Sequence, residues 1–321
     1  MKPCGGALTI KALDRLPYSI APVIRRVAYD LTVSLKGASR RTFPSAVPIC
    51  VMTQRDEFDD YCFGQTLDAG AEFELIPNIE GCRDLGEVAE VALTDGRTMT
   101  ARYIVGADGA RSRVRHLARG LGTLRRTFAV EGQVALSDCA PAPDMRFDFS
   151  YVPGGYGWVF HKGGHLNVGL YSQYESVRFG KNDLVEYASR FLGTTSVNHI
   201  IGYPIGVGGD RYEVASKRIF LAGDAAGLAD PLLGEGIHNA LKSGQAAATA
   251  ILAAEEGGAD AGTRYARELR EIQADLRASG SAAAWFYRLQ TLGFGVLASM
   301  PARTSLMRGF AAGMTYNTSL H

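Results

Sequence analysis
The sequence predicts an α/β protein with an interposed antiparallel β-sheet and a set of C-terminal helices. Three observations predict it. Two apolar segments end in small residues and an aspartate, Gly106-Ala107-Asp108-Gly109 and Ala222-Gly223-Asp224. Each leads on toward a helix, the arrangement whose carboxyl edge binds ligands in α/β sheets. Between them, from about Thr127 to Tyr171, lies a run of extended segments with alternating aromatics, which suits an antiparallel sheet. From Gly236 onward the chain becomes Ala-rich and helical in its spacing.

The elements follow in order. Ala7 to Leu16 reads as a short helix stopped by Pro17. Ile24–Leu35 and Val47–Thr53 are rich in β-branched and apolar residues and read as strands. Asp56 to Ala69 carries Phe58, Tyr61, Cys62, Phe63 and Leu67 at helical spacing and runs into Gly70. Strands are expected at Glu72–Ile76, Val88–Leu93 and Thr98–Val105, the last two joined by a Thr94-Asp95-Gly96-Arg97 turn in which Gly tolerates positive φ. In the central block, Phe147–Val152, Tyr156–His161 and His165–Tyr171 read as strands, and Lys181–Leu192 as a helix. Arg218–Leu221 reads as a short buried strand. Gly236–Ala254, Ala259–Leu276 and Ser281–Phe310 read as helices, the last broken near Pro301.

Composition sets the outer limits. The chain has 321 residues, 46% apolar and 21% charged, a globular balance that excludes a disordered or collagen-like chain. The length suits two lobes or one large discontinuous domain. Thirty-four basic against 33 acidic side chains give a net charge of +1, which argues against a broad surface for nucleic acid or anionic lipid. The five cysteines, Cys4, Cys50, Cys62, Cys82 and Cys139, are odd in number and form no C-x-x-C pair, so reduced thiols in a cytoplasmic protein are expected. The N-terminus shows no secretory h-region, and no apolar run reaches the roughly 18 residues of a membrane span. No metal site is expected. His161 and His165 have no partner carboxylate at ligand spacing.

Three stretches carry chemistry. In Tyr103 to Arg115 an apolar strand turns into a helix whose first turn bears cations, so backbone N–H groups face outward to an anion and Arg111 and Arg113 add charge. The plain alternative is a strand–turn–helix with solvated arginines. In Arg218 to Ile237, Asp224 stands at the carboxyl end of a strand, where a carboxylate accepts hydrogen bonds from ribityl or ribose hydroxyls. Gly234 and Gly236 then open the long helix, whose N-terminus suits an anionic ring. The alternative is a Gly-rich turn with Asp224 as helix cap. In Pro153 to Leu170, Tyr156, Trp158 and Phe160 fall on one face of a hairpin, a wall for a long apolar ligand or an aromatic core strand.

Together these stretches resemble the geranylgeranyl reductase family of flavoproteins, within the p-hydroxybenzoate hydroxylase-like group. The family's K-x-C-G-G-G-L is met by Lys2-Pro3-Cys4-Gly5-Gly6-Ala7-Leu8, and its R-x-x-F-D by Arg55 to Asp59. Its G-A-D-G-x-x-S-x-V-R is met by Gly106 to Arg115, and its A-G-D-A-A-G…P-x-x-G-E-G-I by Ala222 to Ile237. Its Y-x-W-x-F-P-K is met by Tyr156 to Lys162, with His161 in place of Pro. The matches run in the family's order from Lys2 to about Ala247.

The resemblance implies a Rossmann-like FAD-binding domain at 1–124 and 205–255, a β-rich substrate domain at 125–204 and a helical region at 256–321. By it, Arg55, Asp108, Gly109, Gly223 and Asp224 contact FAD, with Gly234, Gly236 and Ile237 beside the isoalloxazine ring. Cys4, Gly5 and Gly6 lie near flavin and substrate as the catalytic loop. Tyr156, Trp158 and Phe160 line an isoprenoid channel. Cys4 alone also reads as a small packing residue. The implied reaction is hydride transfer from reduced FAD to isolated C=C bonds of a geranylgeranyl or polyprenyl substrate, with NAD(P)H or a ferredoxin as electron donor. A flavin monooxygenase or halogenase on the same scaffold is the alternative, and an inactive flavoprotein fragment is a third. The stretch from Trp285 to Phe310 reads as a helical cap over the substrate, with peripheral membrane contact as the alternative.

The family opens with a strand, a G-x-G-x-x-G turn, a helix and an acidic residue that holds the adenosine ribose. This chain begins after that unit, so its FAD-binding domain is expected to lack the first βαβ unit. A start assigned too late is the favoured account, with a truncated remnant or a partner chain that supplies the unit as alternatives. Gly293-Phe294-Gly295-Val296-Leu297-Ala298 fits the spacing, but no strand precedes it, and it reads as a helix-packing region.

Overall fold
A computed structural model describes residues 4–118, 122 and 124–299. The match at Lys2 and the expected helix break at Pro301 lie outside the described residues. In chain order the elements are β1 (Ala7–Thr9), α1 (Ile10–Leu13), β2 (Ile24–Ala28), β3 (Asp30–Leu35), β4 (Ala38–Pro44), β5 (Cys50–Thr53) and α2 (Arg55–Asp68). Then come β6 (Ile79–Asp84), β7 (Ala89–Leu93), β8 (Thr98–Ala101), β9 (Ile104–Gly106), α3 (Arg113–Leu117) and β10 (Arg125–Ala135). They are followed by β11 (Met145–Phe149), β12 (Gly155–His161), β13 (His165–Ser172), α4 (Lys181–Leu192), β14 (Asn198–Val207) and β15 (Ile219–Leu221). The chain closes with α5 (Ile237–Glu255), α6 (Ala261–Arg288) and α7 (Gln290–Ala298).

The fold is mixed α/β with C-terminal helices, as the sequence predicts. It divides into two compact units, 1–71 with 127–203 and 281–321, and 72–126 with 204–280.

The first unit is built on a seven-stranded sheet of order β14-β10-β13-β12-β11-β3-β4. The β10, β13, β12 and β11 pairs are antiparallel, and β3 joins β11 in parallel register, Val33 opposite Phe147. Strand alternation gives the sheet two characters. One face carries Val130, Val134, Val159, Leu166, Val168 and Leu170, which pack with Leu184, Tyr187 and Ala188 of α4. The other carries Phe147, Phe149, Tyr156, Trp158 and Phe160. A small sheet, β1-β5-β2, completes the regular strands of this unit.

The second unit has a core of Ile219, Phe220 and Leu221 of β15 with Ala247 and Ala250 of α5 and Tyr265, Leu269 and Ile272 of α6. Here β15 pairs in parallel with β9, Leu221 opposite Gly106, so the two Asp-containing turns leave adjacent strands at the same end. A hairpin sheet, β6-β7-β8, lies in the same unit, with the expected turn at Gly96, φ +85°.

Several elements differ from expectation. Residues 7–9 are not helical, because they pair with β5. Ile24–Leu35 is two strands in different sheets, divided at Tyr29. Glu72–Ile76 forms no strand, and its Phe73 and Leu75 are exposed. Thr98–Val105 is divided between β8 and β9. Strands β4 and β14 were not anticipated. Helix α6 runs unbroken through residues 276–281, and the helical path is interrupted at Leu289 instead. The Gly293 region is helical and packs on Phe286, 2.8 Å from a Cβ built at Gly293.

Candidate active site
In the first unit the Cys4-Gly5-Gly6 loop sits against the aromatic wall. A Cβ on Gly5 would stand 2.7 Å from the Phe160 ring and 3.4 Å from Trp158 Nε1. Gly6 has φ +60°, and a Cβ there would meet Lys162 Nζ at 2.6 Å and press on the Thr53 carbonyl. Only glycine satisfies both the backbone sign and the space. Thr53 N–H and its hydroxyl both donate to the Gly6 carbonyl, at 2.9 and 3.2 Å.

The wall is continuous. Phe147 meets Tyr156 and Phe160 edge-on at 5.2 and 5.4 Å between centroids, and Tyr156 and Trp158 are 6.1 Å apart. Gly169, opposite Trp158 in the β12–β13 register, leaves the space that the indole fills. Phe286 of α6 packs on Phe149 at 4.9 Å, so this helix meets one edge of the wall. Tyr156, Trp158 and Phe160 are all buried.

A polar network joins loop and wall. Glu131 on β10 is buried, and its Oε1 accepts the Cys4 N–H at 2.8 Å. Its carboxylate also bonds the Asn167 side chain, and the Trp158 indole N–H donates to Asn167 Oδ1 at 2.7 Å. Burial raises the Glu131 pKa above the ordinary carboxylate value, and the hydrogen bonds from Cys4 and Asn167 only partly offset it. Lys162, 3% exposed, donates to the Thr53 carbonyl at 2.9 Å. Burial pulls its ammonium down to about 8, against the pull of Cys4, Cys50 and Glu131. Arg55 at the start of α2 forms a forked pair with Asp59 at 2.9–3.0 Å and also hydrogen-bonds Cys4. Burial opposes its charge, but Cys4 and Asp59 together hold its pKa above the usual guanidinium value.

In the second unit Asp108 and Asp224 leave neighbouring strands. Asp108 receives the Ser112 hydroxyl at 2.6 Å and the Arg113 and Val114 N–H groups at 2.6 and 3.1 Å, so both its oxygens organise the start of α3. Gly109, at φ +77°, has open space where a Cβ would stand. Gly223, at φ +55°, donates its N–H to Ser243 Oγ at 3.0 Å and lies close to Ala240, which brings the end of β15 against α5. A Cβ at Gly236 would be 3.0 Å from Asp224 Oδ1, so the carboxylate stands beside the first turn of α5. Gly236 gives that turn no side-chain cap, though Glu235 Oε1 accepts the His238 N–H at 2.8 Å. Asp230 shapes the loop before it. Its Oδ1 accepts the Leu232 and Leu233 N–H groups at 2.9 Å, its carbonyl accepts Gly234 N–H at 2.8 Å, and Ser279 bonds its other oxygen.

The first unit therefore brings together Cys4, Gly5, Gly6, Arg55, Trp158 and Phe160, with Tyr156 further along the same wall. The second brings Asp224, Gly223, Gly234, Gly236 and Ile237 around the start of α5, with Asp108 and Gly109 at the end of the adjacent strand. Sequence reading missed Glu131, Asn167 and Asp230 and gave Lys162 no role. One signal was available: Glu131 interrupts the otherwise uncharged run Thr127–Ala135. The Asp224 carboxylate beside glycine turns fits a cofactor that bears hydroxyls, and the α5 N-terminus, whose cap residue Gly236 has no side chain, fits a ring able to carry negative charge. Among the described residues, no helix is long and apolar enough to cross a membrane, and no group of three or more His, Cys, Asp or Glu is placed to hold a metal.

No family model matches the chain. It is 28% identical to an uncharacterised protein of Methanosarcina barkeri, over 99% of this chain and 82% of that protein. It is 31% identical to the digeranylgeranylglycerophospholipid reductase of Methanocella arvoryzae, over 68% of this chain and 59% of that enzyme. It is 27% identical to the geranylgeranyl diphosphate reductase of Rhodobacter capsulatus, over 83% of this chain and 70% of that enzyme. Among solved structures, a geranylgeranyl bacteriochlorophyll reductase-like protein from Thermoplasma acidophilum shares the fold, with a TM-score of 0.77 at 20% identity over 99% of this chain and 87% of the other. A flavin-dependent brominase shares it as well, with a TM-score of 0.70 at 15% identity over 96% and 84%.

Proposed function
The chain belongs to the geranylgeranyl reductase-like family of FAD-dependent oxidoreductases, and from that premise we propose that it reduces isolated C=C bonds in a hydrophobic isoprenoid substrate. The observation that carries this reading is the seating of the Gly5 backbone against Phe160 and Trp158. It sets the two glycines of the loop next to a wall of aromatic side chains, and apolar contact of that kind suits an isoprenoid chain. Reduced FAD, when bound, would supply a hydride to one alkene carbon, and a proton drawn ultimately from solvent would complete the other.

The chain's own residues prepare the rest. The wall excludes water and aligns an apolar chain by contact alone, since an isolated alkene offers no strong hydrogen-bonding handle. Gly5 and Gly6 allow close backbone approach. Lys162 and Arg55 place positive potential beneath the loop. In the second unit Asp224 accepts cofactor hydroxyls, Gly109 keeps its strand end open, Gly223 brings the end of β15 close to α5, and the α5 N-terminus at Gly234 to Ile237 favours negative charge. Asp108 fixes the turn from which Gly109 projects.

The test is anaerobic. The chain is mixed with FAD, its visible spectrum recorded, and dithionite, NAD(P)H and reduced ferredoxin supplied in turn with geranylgeranyl diphosphate and a geranylgeranyl glycerolipid. A product heavier by one dihydrogen per reduced double bond supports the reading. A flavin-loaded protein that leaves every polyprenyl compound unchanged with reduced flavin present overturns it. A product formed only with oxygen moves it to monooxygenase or halogenase chemistry, which the brominase name attaches to the same fold.

A further inference from the structure
Glu131, Asn167 and Trp158 lie on one face of three adjacent strands. In the ladder Glu131 is opposite Gly169, Gly169 is opposite Trp158, and Asn167 is opposite both Gln133 and Phe160. Glu131 and Asn167 are thus diagonal neighbours, close enough for their side chains to meet. The chain of bonds is directional. Trp158 donates its indole N–H to Asn167 Oδ1, which leaves the Asn167 amide N–H to donate to the Glu131 carboxylate. The same carboxylate takes the Cys4 N–H. Glu131 is buried and Asn167 is 6% exposed, so little water competes for these bonds. A buried carboxylate beside Trp158 and Phe160 is costly to retain, even with Lys162 and Arg55 offsetting part of that cost, and packing alone would be served by an apolar side chain.

We propose that Glu131 is a positioning residue, holding the Cys4–Gly6 loop and, through Asn167, the Trp158 indole in one fixed relation. The inference deepens the proposed function and rests on its reading of loop and wall as parts of the reaction site. A polyprenyl chain lying on the wall is then registered against the Gly5 backbone, and displacement of the indole is passed to the loop through two side chains. Thr53 holds the other end of the loop at the Gly6 carbonyl, and Lys162 holds Thr53, so Glu131 controls the Cys4 end.

The experiment needs neither flavin nor substrate. The full chain is treated with iodoacetamide, and Cys4 alkylation is followed by peptide mass spectrometry, with the partly exposed Cys139 as reference thiol. Trp158 emission is read in a Trp285→Phe background, since the chain has two tryptophans. Glu131→Ala is expected to accelerate Cys4 labelling about tenfold relative to Cys139, the size of one lost charge-assisted hydrogen bond, and to shift Trp158 emission. Glu131→Gln keeps an acceptor for Cys4 and is expected to return labelling to within about twofold of the parent, a rescue that loss of packing would not give. Asn167→Ala cuts the link between wall and loop and is expected to move both readings together, which keeps the test decisive where Glu131→Ala does not fold. Unchanged Cys4 labelling in folded Glu131→Ala, or an Asn167→Ala protein whose emission shifts while Cys4 labelling stays at the parent rate, overturns the inference. Polyprenyl reduction decides the function separately.

Discussion
The ammonium of Lys162 lies 2.9 Å from the carbonyl oxygen of Thr53, at the end of a β5 strand whose four residues are all buried. Its position has a measurable consequence for pH. The Lys162 pKa is lowered by burial to about 8, whereas the unfolded chain keeps the ordinary value of 10.5. Between those values the unfolded state binds more protons, so stability rises with pH across that window. Below about pH 8 both states are charged and the contribution is flat. The rise amounts to roughly 3 kcal/mol at most. Urea unfolding at intervals from pH 7 to 10.5 is expected to show it in the parent, and Lys162→Met to remove it. An identical slope in both proteins would count against the buried ammonium.

Gly169 exists for Trp158. A methyl group at residue 169 would overlap the indole ring. Gly169→Ala is therefore expected to destabilise the first unit by about 1–3 kcal/mol, the usual cost of overpacking a core. Gly64→Ala is the comparison, because the built Cβ meets nothing within 4 Å in helix α2, and there the change is expected to stabilise by up to about 1 kcal/mol. Thermal melts of the two variants should move in opposite directions.

Asp108 makes a different demand. Its carboxylate accepts the Ser112 hydroxyl and two N–H groups at the start of α3. Asp108→Ala is expected to cost about 1–2 kcal/mol from lost capping, before any ligand is considered. Asp108→Asn keeps one acceptor oxygen and is expected to lose less. Denaturant midpoints separate the two. A ligand-binding defect in Asp108→Asn at near-parent stability would then belong to the ligand.

How legible this was depends on the range of the interactions concerned. Helix α4 coincides with the expected Lys181–Leu192 because its apolar positions, its Asp183 capping contact to Gly180 N–H and its Gly193 C-cap at φ +73° are all local. The end of β15 at Ala222-Gly223-Asp224 was legible for the same reason. Strand β14 was not, since Gly202 and Pro204 argue against a strand, while Gly202 is where the Phe128 ring packs. Sequence spacing ends one helix at Leu276 and starts the next at Ser281. In the fold Ser279 is fully buried and bonds Asp230, and Gly280 lies near Pro231, so the small residues serve packing inside a continuous α6. The aromatic wall could be read from local spacing, and the Cys4-Gly5-Gly6 loop only from the family resemblance. The bonds among Glu131, Asn167 and Trp158 could not, because they depend on the register of β10, β13 and β12, which no local pattern specifies.

Gly236 offers the sharpest separation of fold from ligand in the second unit. A Cβ there would stand 3.0 Å from Asp224 Oδ1, closer than side-chain atoms ordinarily tolerate, and the residue precedes the first turn of α5. Gly236→Ala must therefore displace the Asp224 carboxylate or the helix start. If Asp224 accepts cofactor hydroxyls and α5 faces the cofactor's negative charge, the displacement weakens FAD binding by about tenfold or more, the equivalent of one good hydrogen bond. Gly244→Ala lies two turns further along the same helix with nothing within 4 Å of its built Cβ, and it is expected to leave FAD affinity at the parent level while adding up to about 1 kcal/mol of stability. Titration of FAD by quenching of its fluorescence, run beside thermal melts, reads both effects. Equal affinities for Gly236→Ala and the parent would remove Asp224 and the α5 N-terminus from the cofactor site.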